Sequence, residues 1–218
     1  MFKDDYIMKI IRQASMVFHR AIGLVRTDQL DEAEGVIEEA STEYLGMDWQ
    51  TVEGNSAEML ISLLGNNDQA GLGQLIMLAD LLKAQGIIYV EDENEEGVYA
   101  SFLKALEIRL ALTIGHDLSN AHLDATIDEL VDEHLGEYVL PTPIVQQLFI
   151  YYEKTTQFDK AEDVLWELVD DHITDEDIVQ TGLEYYERLL QKNDTDLATG
   201  GITRAEVQSG FDDLWEKR

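Results

Sequence analysis

The residue types that most often bind metal ions are densest between residues 116 and 134. The candidate ligands in this segment are His116, Asp117, His122, Asp124, Asp128 and His134. Two ligands on one helix must stand three or four residues apart to share a face, and no histidine is in register with Asp124 and Asp128. The H-E-x-x-H pattern of zinc enzymes is also missing. The sequence therefore favours a solvated surface here, with a metal site as the alternative.

A second acidic segment, residues 194–206, resembles part of a calcium-binding loop. Such a loop needs oxygen ligands at alternate positions and closes with a glutamate at the twelfth. If Glu206 closes it, Leu197 falls on a ligand position and the aspartates fall between ligand positions. Thr203 and Glu206 instead have the spacing of a capping box at the start of a helix. We therefore predict a helix start rather than a calcium site.

Motifs for catalysis are missing from the sequence. There is no cysteine to act as a nucleophile, a thiolate ligand or half of a disulfide. The G-x-S-x-G turn of serine hydrolases is absent, and Gly71-Leu-Gly73 is too short for a phosphate-binding loop. Carboxylate pairs occur everywhere in a chain with 45 acidic residues, so they carry no information about acid–base catalysis. We expect no enzymatic activity and no cofactor.

The charge of the chain limits its partners. The 218 residues include 15 Lys and Arg against 45 Asp and Glu, a net charge of −30, and 45% are hydrophobic, which is enough for a folded body. A field this negative repels phosphate backbones, so we expect no nucleic acid. The N-terminal segment lacks the pattern of a signal peptide. The apolar stretch LIMLADLL is also far shorter than the ~20 residues that span a bilayer. We expect a cytoplasmic protein without membrane contact.

Apolar residues recur with the period of an α-helix along most of the chain. In the first helix the stripe includes Ile7, Ile11, Ala14, Ala21 and Val25. The short IIYV run at 87–90 fits the same period, and the two prolines lie together at 141–143. The fold class is therefore all-α, with helices predicted at 4–26, 29–45, 55–65, 72–90, 97–113, 122–135, 143–155, 158–171, 175–191 and 203–216.

Three segments share an internal pattern of residue size. Each has a small or branched residue, a large residue four positions later, and Ala or Leu three positions beyond. The triplets are Ala33/Ile37/Ala40, Val98/Phe102/Ala105 and Ala161/Leu165/Leu168, with Gly86 and Tyr89 upstream of the second. This pattern resembles the second helix of a tetratricopeptide repeat. There a small residue lets two antiparallel helices approach and a large residue fills the facing hole.

The spacing departs from that family. A tetratricopeptide unit has about 34 residues, whereas these triplets recur at about 64, with a spacer helix at 57–64 and another at 128–135. The resemblance implies tetratricopeptide-like stacked hairpins with additional spacer helices, in a right-handed α-α superhelix. We expect a single domain, 1–218, with units 1–66, 67–136 and 137–218. The whole chain also resembles an acidic helical family of Gram-positive bacteria that carries no assigned function.

In tetratricopeptide proteins the first helix of each pair lines a concave groove. The resemblance implies that the groove-facing residues here are Phe18, Ile22, Val25, Lys83, Ile87, Gln146, Ile150 and Glu153, with Ser15, Asp80, Val90 and Pro143 beside them. Two alternatives follow. Either the spacer helices fill this face and make these residues core, or the groove is open and binds an apolar segment of a partner. The size of the exposed apolar patch in the second case favours the first.

The first 26 residues carry a net charge of +3, whereas the remainder carries −33. A basic amphipathic helix on an acidic body either docks on its own chain, forms a homodimer, or meets an acidic partner or a lipid surface. We expect a non-catalytic helical-repeat protein that binds a protein partner or itself through residues 1–26. The alternative is a small-molecule-binding or metal-dependent enzymatic domain with its site around His116, His122 and Asp128.

Overall fold

The computed structural model describes residues 2–65, 68–116, 121–171 and 176–217, without the side chains of 2–5, 116, 121–124, 171 and 176. Within these ranges there is no β-strand, so the all-α class is confirmed. Two π-helical turns, Ser41–Leu45 and Leu130–His134, continue α2 and α7. The helices are α1 Phe2–Val25, α2 Leu30–Ala40, α3 Trp49–Gly54, α4 Ala57–Leu64, α5 Gln69–Glu91, α6 Glu95–His116, α7 Ala121–Glu129, α8 Thr142–Lys154, α9 Phe158–Asp171, α10 Glu176–Leu190, α11 Asp194–Thr199 and α12 Arg204–Glu216.

Two short helices, α3 and α11, are missing from the sequence-based prediction. Each has six residues, too few to show a hydrophobic period. Side-chain caps define their starts instead. The Asp48 carboxylate accepts a hydrogen bond from the backbone N–H of Thr51 at 2.7 Å, and Asn193 caps α11 in the same way. Such short helices are therefore specified by capping rather than by amphipathicity.

The predicted caps have mixed outcomes. The capping box of Thr203 and Glu206 at the start of α12 is confirmed. The sequence Asn55-Ser-Ala-Glu58 also has the spacing of a capping box and predicts Asn55 as the cap of α4, but Ser56 accepts the N-terminal hydrogen bond. Thr142 before Pro143 predicts Thr142 as the N-cap of α8, but Pro141 occupies that position.

The chain forms two compact units, residues 1–139 and 140–218, and the division into three repeat units stays a prediction. In the first unit α5 is the central helix, packed against α6, α1, α2 and α4. Of the described helices, α5 is the one whose length and apolar composition would suffice to cross a membrane. It is also 89% buried over its most apolar stretch, and a core helix surrounded by other helices needs such a composition.

The close packing implied by the repeat resemblance is present between α5 and α6. A Cβ at Gly86 would lie 2.6 Å from the Phe102 ring, so only glycine permits this approach. Phe102 is itself fully buried. All nine residues of the three triplets are buried, as the size pattern predicts.

The second unit has an aromatic interior. Its α8 packs on α9, and α10 packs on α12 and α9. The Tyr185 hydroxyl donates to the carbonyl of Phe158 at 2.8 Å, and the Tyr186 hydroxyl donates to the Glu162 carboxylate at 2.7 Å. Trp166 Nε1 completes this network by donating to the Tyr186 oxygen at 3.0 Å. The polar tips of these large side chains are therefore satisfied inside the unit.

Candidate functional site

A cavity of about 260 Å³ lies in the first unit, where α1, α5 and α7 meet. Four lining residues, Ser15, Phe18, Asp80 and Lys83, hold positions that the repeat resemblance assigns to the concave face. The spacer helix α7 supplies most of the remaining wall, so it covers part of this face and leaves a cavity. The remaining lining residues are His19, Ala125, Thr126 and Glu129.

Asp80 and Lys83 stand out as buried charged residues in α5, which is mostly apolar. Asp80 and Lys83 lie one turn apart, and each is only 6% exposed. Asp80 Oδ1 accepts a hydrogen bond from Nη2 of Arg109 on α6, which is fully buried. An ion pair at this depth loses much of its attraction to desolvation. Its presence is therefore not explained by a gain in stability.

Lys83 connects the cavity to α7. Its ammonium donates to the Glu129 carboxylate and lies 5.0 Å from the centre of the Phe18 ring. Nε2 of His134 is 3.7 Å from the other Glu129 oxygen, and the His134 ring stacks on Phe102 with 4.1 Å between ring centres. His134 and then Lys83 lower the pKa of Glu129 to about 2, because both favour its charged form over the opposing effect of partial burial.

The buried pair is incompletely hydrogen bonded. Within the described part of the chain, Asp80 Oδ2 and the Nε and Nη1 atoms of Arg109 are buried without a hydrogen-bond partner. More than about 90% of buried polar atoms in folded proteins are paired, and an orphan costs about 1–3 kcal/mol. The Asp80–Arg109 pair therefore keeps unused hydrogen-bonding capacity inside the first unit.

The other groove positions do not line this cavity. Val25 is buried, whereas Ile22 and Ile87 are half-buried. In the second unit, Gln146 and Ile150 are exposed, and Glu153 accepts hydrogen bonds from the Arg188 guanidinium at 2.7 and 2.8 Å. Of the flanking positions, Val90 and Pro143 are exposed.

The predicted metal candidates are largely untested. Asp117 and the side chains of His116, His122 and Asp124 lie outside the described residues. Among the side chains that are described, no three His, Cys, Asp or Glu residues are grouped closely enough to hold a metal ion. The alternative site around His116, His122 and Asp128 stays a prediction.

Sequence reasoning missed two charged members of the cluster, Arg109 and Glu129. Arg109 interrupts an apolar run of α6, as Asp80 interrupts the run LIMLADLL of α5. A lone charge inside an apolar run was the available signal, since such a residue must be buried with its helix. Glu129 gives no such signal, because it lies in an acidic segment.

A second surface feature is the outward face of α1. Its apolar stripe is buried, so this basic helix docks on its own chain through that side. The opposite side exposes Lys9, Arg12, Met16 and Arg20, and Met16 is 66% exposed. The neighbouring helix α2 exposes five carboxylates, which are those of Asp31, Glu32, Glu34, Glu38 and Glu39.

An open groove of about 650 Å³ runs between α1 and α2. Gly23 and Gly35 face it, and a Cβ at either position would meet no atom within 4 Å. Leu24 and Val36 also line the groove, and Arg20 and Glu39 form an exposed ion pair at 3.3 Å beside it. The groove thus combines glycine and apolar lining residues with charged residues of both signs.

The chain belongs to DUF6483, a family of unknown function whose model matches residues 1–218. This agrees with the resemblance to a family without an assigned function, while Gram-positive origin and kinship to tetratricopeptide repeats stay predictions. The chain matches no curated protein and no solved structure.

Proposed function

We propose that this member of DUF6483 is a non-catalytic, cytoplasmic protein-binding protein that associates with a second copy of itself. The observation that carries the proposal is the exposed basic face of α1 beside the exposed acidic face of α2. We place both helices in a tetratricopeptide-like arrangement of stacked hairpins. Consecutive helices pack against each other in three hairpins, which are α1/α2, α5/α6 and α8/α9. The close approach of Gly86 to Phe102 between α5 and α6 also supports this arrangement.

The two faces are complementary under two-fold symmetry. In a symmetric dimer the same surface patch meets itself, so a residue of α1 in one copy contacts α2 of the other, and the reverse. Lys9, Arg12 and Arg20 then oppose the carboxylates of α2 twice in each dimer. Such complementarity speeds association and fixes its orientation.

Gly23 and Gly35 support a close approach of the second copy. A glycine inside a helix costs about 1 kcal/mol relative to alanine, and neither residue is needed to avoid a clash within its own chain. Both line the groove between α1 and α2. A helix of a second copy that packs there would explain why these two positions lack a side chain.

Sedimentation equilibrium of the full chain tests this proposal. Deletion of residues 1–26 is unsuitable because the buried side of α1 packs on α5. We therefore choose the exposed substitutions Arg12→Glu and Arg20→Glu. The wild type should be a dimer that weakens with added salt, and the double variant should be a monomer.

A charge swap makes the test specific. A second chain with Glu32→Lys and Glu39→Lys, which exchanges the two carboxylates that line the groove, should form a mixed dimer with the Arg12→Glu/Arg20→Glu chain, because the opposed signs are exchanged. The control is Lys154→Glu/Lys217→Glu, which makes the same charge change at exposed positions of the second unit and should stay dimeric. A wild type that is monomeric up to sub-millimolar concentration would overturn the proposal.

A further inference from the structure

We infer that Met16 is a site of reversible oxidation by peroxides and that its sulfoxide weakens the dimer. The inference rests on the proposed self-association through α1 and α2 and adds a means of controlling it. Three observations carry it, which are the exposure of Met16, its position between two arginines of the proposed interface, and the chemistry of its thioether.

Methionine is the only residue type in the chain that contains sulfur. The sequence has six methionines and no cysteine, so a peroxide meets no thiol that would react in place of a thioether. Met77 is only 1% exposed and Met47 is half-buried, whereas Met16 is 66% exposed. Of the described methionines, Met16 is therefore the one most open to an oxidant in solution.

Met16 lies in the middle of the surface that the proposed dimer covers. Residues four positions apart on a helix form a row along one face, and the exposed residues Met8, Arg12, Met16 and Arg20 make such a row. Met16 thus has one arginine a turn before it and another a turn after it. A second copy whose carboxylates reach both arginines must also cover the side chain between them.

The reaction of Met16 with a peroxide transfers one oxygen atom. The sulfur attacks one oxygen of hydrogen peroxide, the O–O bond breaks, and an S–O bond forms. The other oxygen leaves with both protons as water, so the sulfur loses two electrons and the peroxide gains them. A methionine sulfoxide reductase reverses the change.

The sulfoxide should oppose association because it is polar. An apolar thioether gains from removal from water in the dimer, whereas the sulfoxide oxygen would lose its hydrogen bonds to water there. Arg12 and Arg20 can donate to that oxygen only in competition with the carboxylates of the second copy. We therefore expect oxidation to raise the dissociation constant of the dimer by about tenfold or more.

Association should in turn protect Met16 from peroxide. The dimer covers this side chain and the monomer leaves it open, so oxidation and association oppose each other reciprocally. Dilution of the protein should therefore speed the oxidation of Met16. It should not speed that of Met59, which is 50% exposed on α4, outside the proposed interface.

Treatment of the full chain with hydrogen peroxide, followed by peptide mass mapping and sedimentation equilibrium, tests the inference. The dimer should weaken in proportion to the fraction of Met16 that has gained an oxygen, and a methionine sulfoxide reductase should restore it. The free energy of unfolding should stay unchanged, which shows that the buried Met77 is intact. A dimer of undiminished affinity with Met16 fully oxidised would overturn the inference.

Three substitutions assign the effect to one sulfur. Met16→Leu keeps an apolar side chain and should give a dimer that peroxide leaves intact. Met16→Gln carries a permanent polar group and should weaken the dimer without peroxide. The matched control Met59→Leu removes another exposed sulfur and should respond to peroxide as the wild type does. A Met16→Leu dimer that peroxide still weakens would also overturn the inference.

The proposal of self-association and this inference fail in different ways. A wild type that is monomeric before any treatment overturns self-association, and this inference with it. A wild type that dimerises through its charged faces, but keeps its affinity after Met16 is oxidised, overturns this inference alone.

Discussion

The two units bury their polar atoms in different ways. In the second unit the Tyr185 and Tyr186 hydroxyls both find acceptors, and the Trp166 N–H finds the Tyr186 oxygen. In the first unit Asp80 and Arg109 meet each other, but each keeps a buried atom without a partner in the described part of the chain. The polar groups of this network in the second unit are thus paired, whereas the Asp80–Arg109 pair of the first unit keeps buried polar atoms without a hydrogen-bond partner.

The largest effect should come from breaking the buried ion pair of the first unit. Arg109→Met leaves the Asp80 carboxylate buried and uncompensated, which should lower the free energy of unfolding by about 3–5 kcal/mol. Urea unfolding followed by hydrogen exchange, which separates the two units, measures it. A loss smaller than that of Tyr185→Phe in the second unit would remove the contrast between the units.

Glycine substitutions should affect both units alike. A Cβ at Gly86 would press on the Phe102 ring, and one at Gly210 would collide with the Tyr186 hydroxyl. Gly86→Ala and Gly210→Ala should each cost about 1–3 kcal/mol by overpacking, measured in the same unfolding experiment. Gly23→Ala is the matched control, since its Cβ meets open space and the change should stabilise its own chain. If only one unit responded, the units would differ in packing density as well as in polar bonding.

Removing a hydrogen-bonded hydroxyl from the second unit should cost less stability than breaking the buried ion pair of the first unit. Tyr186→Phe loses the bond to Glu162 and the bond from Trp166, so we expect a loss of about 1–3 kcal/mol in the second unit. The same measurement should show no change in hydrogen exchange of α5 and α6. A global loss of protection would mean that the aromatic network supports both units.

The helices and many buried positions could be predicted from the sequence, but the contrast between the units could not. The helical period gives the long helices, and the size triplets identify buried positions such as Phe102 and Leu165. The repeat resemblance places Phe18 and Lys83 on one face, and they line one cavity. Pairing depends on contacts between distant segments. The Asp80–Arg109 pair is 29 residues apart and the Lys83–Glu129 pair 46, and no local pattern specifies such partners.

Acid should act in opposite directions through two carboxylates, Glu129 in the first unit and Glu162 in the second. The pKa of Glu129 is lowered from 4.5 to about 2, so its stabilisation of the first unit is present above pH 4.5 and is lost as the pH falls toward 2. Burial raises the pKa of Glu162, so protonation relieves a cost and falling pH favours the second unit through this group. These pH effects should be the smallest of the series.

Glu129→Gln and Glu162→Gln each remove one titrating carboxylate. Comparing the free energy of unfolding of each variant with that of the wild type separates its contribution from the titration of the other carboxylates. The stability advantage of the wild type over Glu129→Gln should shrink as the pH falls. The stability of the wild type relative to Glu162→Gln should instead rise as the pH falls. If the stability difference between the wild type and each variant did not change with pH, the pKa shifts given to Glu129 and Glu162 would be contradicted.

The contrast between the units is tested most directly on the Asp80→Leu/Arg109→Met double variant, which removes the incompletely hydrogen-bonded pair of the first unit. The measurement is its free energy of unfolding compared with that of the wild type. We expect the double variant to be as stable as the wild type or up to about 1–4 kcal/mol more stable, as apolar replacements of buried ion pairs often are. A double variant that is several kcal/mol less stable than the wild type would contradict this account, because the buried pair would then contribute to folding as the satisfied polar groups of the second unit do.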